Sequence, residues 1–304
     1  MKMSKNVLIT GAAGFVGTYL TEFLIDRGYD VIILSRSAKG NKGNVAYWNP
    51  QRGEIDIDAL QDLDAAVHLA GENIAGRWTD HKKTRIDNSR VLGTKLLSES
   101  LASLNKKPEV LISASAIGIY GNRGDEILTE ASSHGQGFLA DVGVKWEEAT
   151  KIAKEAGIRT CNVRIGLVLG KDGGALKKML MPFKLGLGGK IGDGKQYWSW
   201  IAIDDLVEII YYLLKNKNLE GPVNAVSPNP VTNSEFTRAL GQVLNRPTLI
   251  PLPAFAARGL LGEMADETML SSTRVIPQKL LDAGFKFKYM DLKNALSGIL
   301  KTEI

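Results

Sequence analysis

The run NVLITGAAGFVG, Asn6 to Gly17, starts as a short apolar β-type stretch, breaks at Gly11, Gly14 and Gly17, and continues as an amphipathic helix. A chain that turns this sharply from strand into helix presents backbone N–H groups at a helix N-terminus with no side chain in front of them. A dinucleotide pyrophosphate needs that arrangement. In this reading Gly11 makes the tight turn, Gly14 admits the pyrophosphate and Gly17 lets helix pack on strand, with Ala13, Phe15 and Val16 completing the cradle. Phe15, Leu20, Phe23 and Leu24 recur at a spacing that lays one helix face on a sheet. Glycine is abundant, 32 of 304 residues, so the weight rests on where the three stand and not on their number.

The next apolar run, Val31 to Leu34, ends in Ser35-Arg36, where an NAD-preferring chain carries a carboxylate for the ribose 2′-hydroxyl. Asp30 opens that run instead of closing it and reads as a turn residue. Arg36 suits a 2′-phosphate, with Ser35 donating a hydrogen bond, so NADP is the expected cofactor ahead of NAD. The competing reading of Arg36 is a solvated loop cation.

Composition permits a nucleotide-binding α/β protein and excludes several alternatives. A chain of 304 residues can bury a sizeable core. Its one cysteine, Cys161, rules out an internal disulfide or a zinc cluster and points to a reducing cytoplasm; lying in the apolar run Thr160 to Ile165, it reads as buried packing. No span is apolar enough for a membrane helix, and the N-terminus runs straight into the first strand without a signal-peptide pattern. A net charge of +5 with scattered lysines suits anionic small molecules but does not indicate nucleic acid. His68, His81 and His134 are isolated, so no metal site is expected. The expected partner is a small-molecule substrate, and a homodimer is left open.

Strand-like runs at Ala65 to Ala70, Val110 to Ala114 and Thr160 to Ile165 alternate with helical patterns near Asp80 to Leu104 and Leu139 to Ala156. That order predicts an α/β fold with a Rossmann-type, doubly wound parallel sheet. Beyond Gly170 the chain turns rich in glycine and proline, with helices predicted at Ile203 to Lys215, Thr232 to Leu244 and Leu292 to Leu300. The expected division is an NADP-binding part over residues 1–170, with a segment returning at about 195–228. A smaller, interleaved C-terminal α/β substrate domain takes 171–194 and 229–304.

The G-x-x-G-x-x-G spacing resembles that of extended short-chain dehydrogenase/reductases. Longer runs narrow the likeness: SASAIGIYG (Ser113 to Gly121), FLADVGVKWEEA (Phe138 to Ala149), the stretch from Val163 to Leu206, and GEMADETMLSSTRVIPQKLLDAGFKFKY (Gly262 to Tyr289). Together they are similar to an atypical, epimerase-like group within the NAD-dependent epimerase/dehydratase superfamily. That group carries its own short C-terminal domain and is sometimes labelled a cell-division inhibitor. The resemblance implies an NADP-binding fold without fixing a substrate. It also implies that Leu69, Ala70, Gly71 and Glu72 face the cofactor after their strand, and that Arg90, in a slot usually held by asparagine, reaches phosphate or steadies its helix turn. Ser113 and Arg164 complete the expected cofactor set.

The superfamily's Tyr-x-x-x-Lys relay is absent, because Lys145 is preceded at that spacing by Asp141 and Phe138 to Glu148 holds no tyrosine. The expected catalytic hydroxyls are therefore Ser115, with Ser113 next, and Tyr120 as a displaced acid whose competing reading is structural. The segment Gly192 to Leu206 resembles the superfamily's diphosphate clamp, but Trp198 stands in the arginine position. Losing that cation removes about 1.5–3 kcal/mol of charge-assisted binding, which counts against a nucleotide-sugar substrate. Tyr197, Trp198 and Trp200 are expected either to line an aromatic pocket or to fill a core. Gly189 to Lys195 spells most of a P-loop, but Gln196 replaces the required hydroxyl residue. The expected function is an NADP-dependent oxidoreductase or epimerase-like enzyme on a small carbonyl or hydroxyl compound. The alternative is a non-catalytic NADP(H) sensor. An open pocket beside the cofactor distinguishes the two, since a sensor has no need of one.

Overall fold

The computed structural model describes residues 5–37 and 44–301. Eight strands form one sheet: β1 (Asn6–Thr10), β2 (Asp30–Ser35), β3 (Val45–Asn49), β4 (Glu54–Ile55), β5 (Ala65–His68), β6 (Val110–Ala116), β8 (Arg159–Ile165) and β12 (Gly221–Ala225). Their spatial order is β12-β8-β6-β5-β1-β2-β3-β4, and every pairing is parallel except the short β3–β4 hairpin. The order reverses at β1, which lies between β5 and β2, so the loops leaving β1 and β5 part there and open a crevice at the sheet's carboxyl edge.

Period-two alternation sends Val7, Ile9, Ile112 and Val163 to one face of the sheet, under α1 (Phe15–Ile25) and α6 (Ile203–Lys215). Leu8, Ala66 and Leu111 go to the other, under α2 (Asp80–Ser103) and α4 (Lys151–Glu155). Both faces of a parallel sheet are thus covered. A third cluster, including Phe183, Trp198, Trp200, Phe236 and Leu296, joins α5 (Gly174–Lys184), α7 (Asn233–Leu244) and α10 (Leu292–Lys301).

Short pairings tie the two halves together: β7 (Ile127–Leu128) with β14 (Arg274–Val275), β9 (Leu167–Leu169) with β11 (Trp200–Ala202), and β10 (Tyr197–Trp198) with β13 (Val231–Thr232). Helix α7 starts at a capping box in which Thr232 Oγ1 accepts from Glu235 N–H and the Glu235 carboxylate accepts from Thr232 N–H.

Two expectations are corrected and one feature is new. The helix predicted over Leu139 to Ala156 is two helices, α3 (Phe138–Glu148) and α4, because Thr150 donates both its N–H and its hydroxyl to Glu147 O and turns the chain. The strand predicted to run to Ala70 stops at His68, since Leu69 N–H is shared between Thr10 O and Thr10 Oγ1 and Ala70 N–H turns onto Thr10 Oγ1 at 3.2 Å. Strands β3 and β4, which close one edge of the sheet, were not anticipated.

Candidate functional site

The three glycines of the first turn meet different constraints. Gly11 has φ +71°, and a Cβ there would stand 2.8 Å from the backbone of Leu69 and Ala70. A Cβ on Gly17 would collide with Gly11 O. At Gly14 a Cβ meets only Gly11 O, at 3.1 Å, and otherwise points into open space. No side chain caps the first turn of α1, so its amide groups face the crevice beside that open space. A dinucleotide pyrophosphate fits this cradle. Ala13 is exposed beside it, whereas the Phe15 ring seats against Gly170, Gly173 and Gly174, where α5 begins. After β2, Ser35 Oγ accepts from Ser37 N–H at 3.2 Å and Arg36 is exposed.

The loop after β5 is held from beneath. Thr10 Oγ1 accepts the Leu69 and Ala70 N–H groups, so its own hydrogen goes to His68 Nδ1 at 2.7 Å, leaving the ring proton on Nε2. His68 is fully buried, and burial pulls its pKa from 6.5 to about 4. Glu72 pairs with Lys82 at 2.7 Å and Arg85 at 2.8 Å, the Lys82 hydrogen bond holding its carboxyl below the usual range. Arg90 donates to Glu72 O and Ile86 O at 3.1 Å, lies over the Trp146 ring and flanks Gly71. Burial lowers its pKa to about 10, which still leaves it a cation. Arg77 donates to Gly259 O, and Trp78 packs on Phe138, so both serve to dock this loop.

Register sets Ser113 opposite Asn162 and Ser115 opposite Arg164 on β6 and β8. Ser113 is fully buried and donates to Ala114 O. Ser115 Oγ donates to Glu147 Oε1 at 2.7 Å, while Arg164 grips both Glu147 oxygens at 2.7 and 2.8 Å. Arg164 Nη1 also donates to the Tyr120 hydroxyl at 2.9 Å, which donates onward to Asn224 Oδ1 at 2.7 Å. The two hydroxyls singled out in the sequence thus converge on one ion pair. Burial alone would weaken the Arg164 cation, but the Glu147 hydrogen bonds outweigh it and raise its pKa. Tyr120 is entirely enclosed, and burial pushes its phenol upward despite the neighbouring guanidinium. Its hydroxyl has no open side, and Arg164 is spent on Glu147 instead of the crevice. Lys145 lies outside this network, pairing with Asp87.

Beside the cradle lies a cavity of about 760 Å³. Asn73 to Gly76 after β5, Ile117 after β6, and Leu167, Gly174 and Ala175 form its wall on the cradle side. One face of α5 (Ala175, Lys178, Met179, Pro182 and Phe183) and residues from the third core cluster form the rest. Tyr197 and Trp198 line it, as one of the two readings of that aromatic run expected; Trp200 does not, being fully buried with its indole N–H on Asn229 O. Sequence reasoning missed Glu147, Asn224 and the α5 wall. The alternation of β6 and β8 places Ser115 beside Arg164, but only the packing of α3 brings Glu147 to both. It also missed Glu267, whose carboxylate caps the Phe138 and Leu139 N–H groups at the start of α3.

Residues 7–226 match the model of the NAD-dependent epimerase/dehydratase family, and 252–299 match a domain of unknown function, DUF1731. The chain belongs to the NAD-dependent epimerase/dehydratase family. This family member is 43% identical over 291 residues to the epimerase family protein Mb2239 of Mycobacterium bovis, covering 95% of this chain and 96% of that one. It is 37% identical to the epimerase family protein YfhF of Bacillus subtilis, covering 97% and 98%. Among solved structures, a human epimerase family protein, SDR39U1, crystallised with NADPH, superposes with a TM-score of 0.89 at 33% identity, covering 98% of this chain and 99% of that one. The family assignment and the Rossmann-type fold agree with what the sequence predicted.

Proposed function

We propose that the protein is an NADP(H)-dependent oxidoreductase or epimerase acting on a small carbonyl or hydroxyl compound. The observation that carries this reading is the open cavity whose wall at Gly174 packs against the Phe15 ring of the glycine turn, because a sensor has no use for an empty chamber there. The similarity to a human relative crystallised with NADPH supports the cofactor. The backbone of Gly11, Ala13, Gly14, Phe15 and Val16 would hold the pyrophosphate, Ala70 and Gly71 the adenosine side, and the exposed Arg36 with Ser35 the 2′-phosphate. When bound, NADPH supplies a hydride for a carbonyl carbon. The accompanying proton comes from a chain hydroxyl, and Ser115 at the carboxyl end of β6 is the one this reading assigns; buried and donating to Glu147 in this structure, its hydroxyl would have to turn toward the substrate to deliver the proton. Arg164 keeps Glu147 in place. The lone buried thiol suits a cytoplasmic setting.

Calorimetric titration tests the cofactor assignment. NADPH should bind at least tenfold tighter than NADH, about 1.4 kcal/mol, and Arg36→Asp should narrow or reverse that gap. Equal affinities in the wild-type protein would overturn it. On any carbonyl compound that the protein reduces, Ser115→Ala should lower turnover by roughly 10²–10⁴ while leaving NADPH affinity unchanged. Wild-type turnover in that variant would place the proton donor elsewhere.

A further inference from the structure

We infer that the substrate cavity takes a carbonyl or alcohol on a lipophilic body, such as a long-chain aliphatic ketone or secondary alcohol, and not a sugar nucleotide. This rests on the oxidoreductase reading above and names the class of compound it acts on.

The wall is the first reason. Among its residues the only charged side chain is Lys178, with no arginine, histidine or acid. Lys178 is exposed at the mouth, where one hydrated ammonium cannot match a diphosphate that needs bidentate partners. The superfamily's clamp position is filled by Trp198, whose ring packs edge-on against Phe236 at 5.2 Å with its indole N–H committed to Met269 O. That side chain cannot swing away to admit a cation from behind it.

The polar atoms of the wall are the second reason. Ser199 donates its hydroxyl to Thr273 O at 2.8 Å and accepts from Val275 N–H. Thr268 donates to Met264 O at 2.6 Å and Thr273 to Gly121 O at 3.2 Å. The carbonyl oxygens of Asn233 and Asn73 accept from Ile191 and Ala75 N–H. These hydroxyl protons and amide oxygens serve the protein's own backbone. A hydroxyl-rich sugar entering here would find few replacement partners for its water, chiefly the Tyr197, Thr237 and Ser271 hydroxyls and the Asn73 and Asn233 amide N–H groups, whereas a ligand with one oxygen and an apolar remainder needs few.

The mouth is the third reason. Leu187 and Ile250 both line the cavity and stand half exposed, at 54% and 51%. Pro182, Phe183, Leu252 and Leu261 carry the apolar lining inward from them. An apolar lining that is half exposed at Leu187 and Ile250 suits a flexible chain entering end-on, and Gly174, which also lines the cavity, packs against Phe15 of the nucleotide turn. The reaction then balances simply: the carbonyl carbon gains hydride, the carbonyl oxygen gains a proton, NADPH becomes NADP⁺, and the aliphatic remainder is untouched.

The test is displacement of a neutral apolar dye, N-phenyl-1-naphthylamine, from the full-length protein with NADPH, by straight-chain ketones from 2-hexanone to 2-dodecanone and by UDP-glucose. Affinity for the ketones should rise about two- to fourfold per added methylene until the cavity is filled, and UDP-glucose should not compete. Leu187→Glu, an exposed change at the mouth that the fold tolerates, should weaken ketone binding at least tenfold with NADPH affinity intact. Met179→Trp, filling the α5 wall, should do the same. A flat chain-length series, ketone affinity unaltered in both variants, or displacement by UDP-glucose would each overturn the inference. NADPH consumption with the same ketones is read separately. Ketones that bind with the expected slope but are not reduced would sink the oxidoreductase reading and leave the lipophilic site standing. Reduction of short hydrophilic carbonyls with no gain from chain length would do the reverse.

Discussion

His68 shows how one buried residue couples the site loop to pH. Its Nδ1 accepts from Thr10, which in turn holds the Leu69–Ala70 corner of the crevice, so the corner is built for the neutral ring. The folded pKa of about 4 lies below the ordinary 6.5, so the unfolded chain binds the proton first as pH falls. The stabilisation is present above pH 6.5 and is lost between there and pH 4. At pH 5 the loss should be about 2 kcal/mol. Urea unfolding at pH 7.5 and pH 5 should therefore show the wild-type protein losing about that much more than His68→Asn. Parallel losses in the two proteins would assign the acid sensitivity to other groups. From sequence His68 was legible only as a packed residue; its partner depends on β1 lying next to β5.

At the scale of the element, the β1–α1 turn separates two kinds of glycine. Gly14→Val should abolish NADPH binding while circular dichroism and the unfolding midpoint stay near wild type, since its Cβ meets little but open space. Gly17→Val should instead destabilise the protein severely, because its Cβ runs into Gly11 O and helix and turn must separate. If Gly14→Val binds NADPH normally in a folded protein, the nucleotide lies elsewhere. The spacing of the glycines was fully legible, and so was α6, whose predicted bounds Ile203 to Lys215 are those observed. The break between α3 and α4 was not, because apolar periodicity continues through it and the helix ends where the Thr150 N–H and hydroxyl both turn onto Glu147 O.

Across the whole molecule, the Asp205 carboxylate ties the approach to the last helix to the nucleotide half. In the first turn of α6 and almost fully buried, its carboxylate accepts from Lys288 N–H at 2.7 Å and Tyr289 N–H at 3.0 Å, just before α10. Asp205→Ala should cost about 2 kcal/mol. Hydrogen exchange should quicken in Leu292 to Lys301 more than in β1, β5 or β6. Uniform acceleration across the chain would mean that the two halves open as one. At the other end of the interface, Glu267 caps α3 from the C-terminal part and Lys83 pairs with Glu263 at 2.8 Å. The segment GEMADETML, notable in sequence only as a resemblance, is thus a clasp across the site.

The sequence by itself determined the alternation of strand and helix, the glycine turn and the missing Tyr-x-x-x-Lys relay, because these are local: residue type and spacing fix backbone freedom, periodicity and the presence of a functional group. Only the tertiary structure decided what the other polar residues do. Tyr120 and Ser115 stand five residues apart in a run that reads as a catalytic edge, yet their hydroxyls meet on a buried Glu147–Arg164 pair assembled from α3 and β8. Of the cavity only the aromatic run at Tyr197 and Trp198 had a sequence signature, and that run read equally as core. The cavity walls come from loops after β5 and β6, from α5 and from the third core cluster, segments whose apolar residues read in sequence as ordinary core and enclose a space only when the C-terminal helices fold back over the carboxyl edge of the sheet.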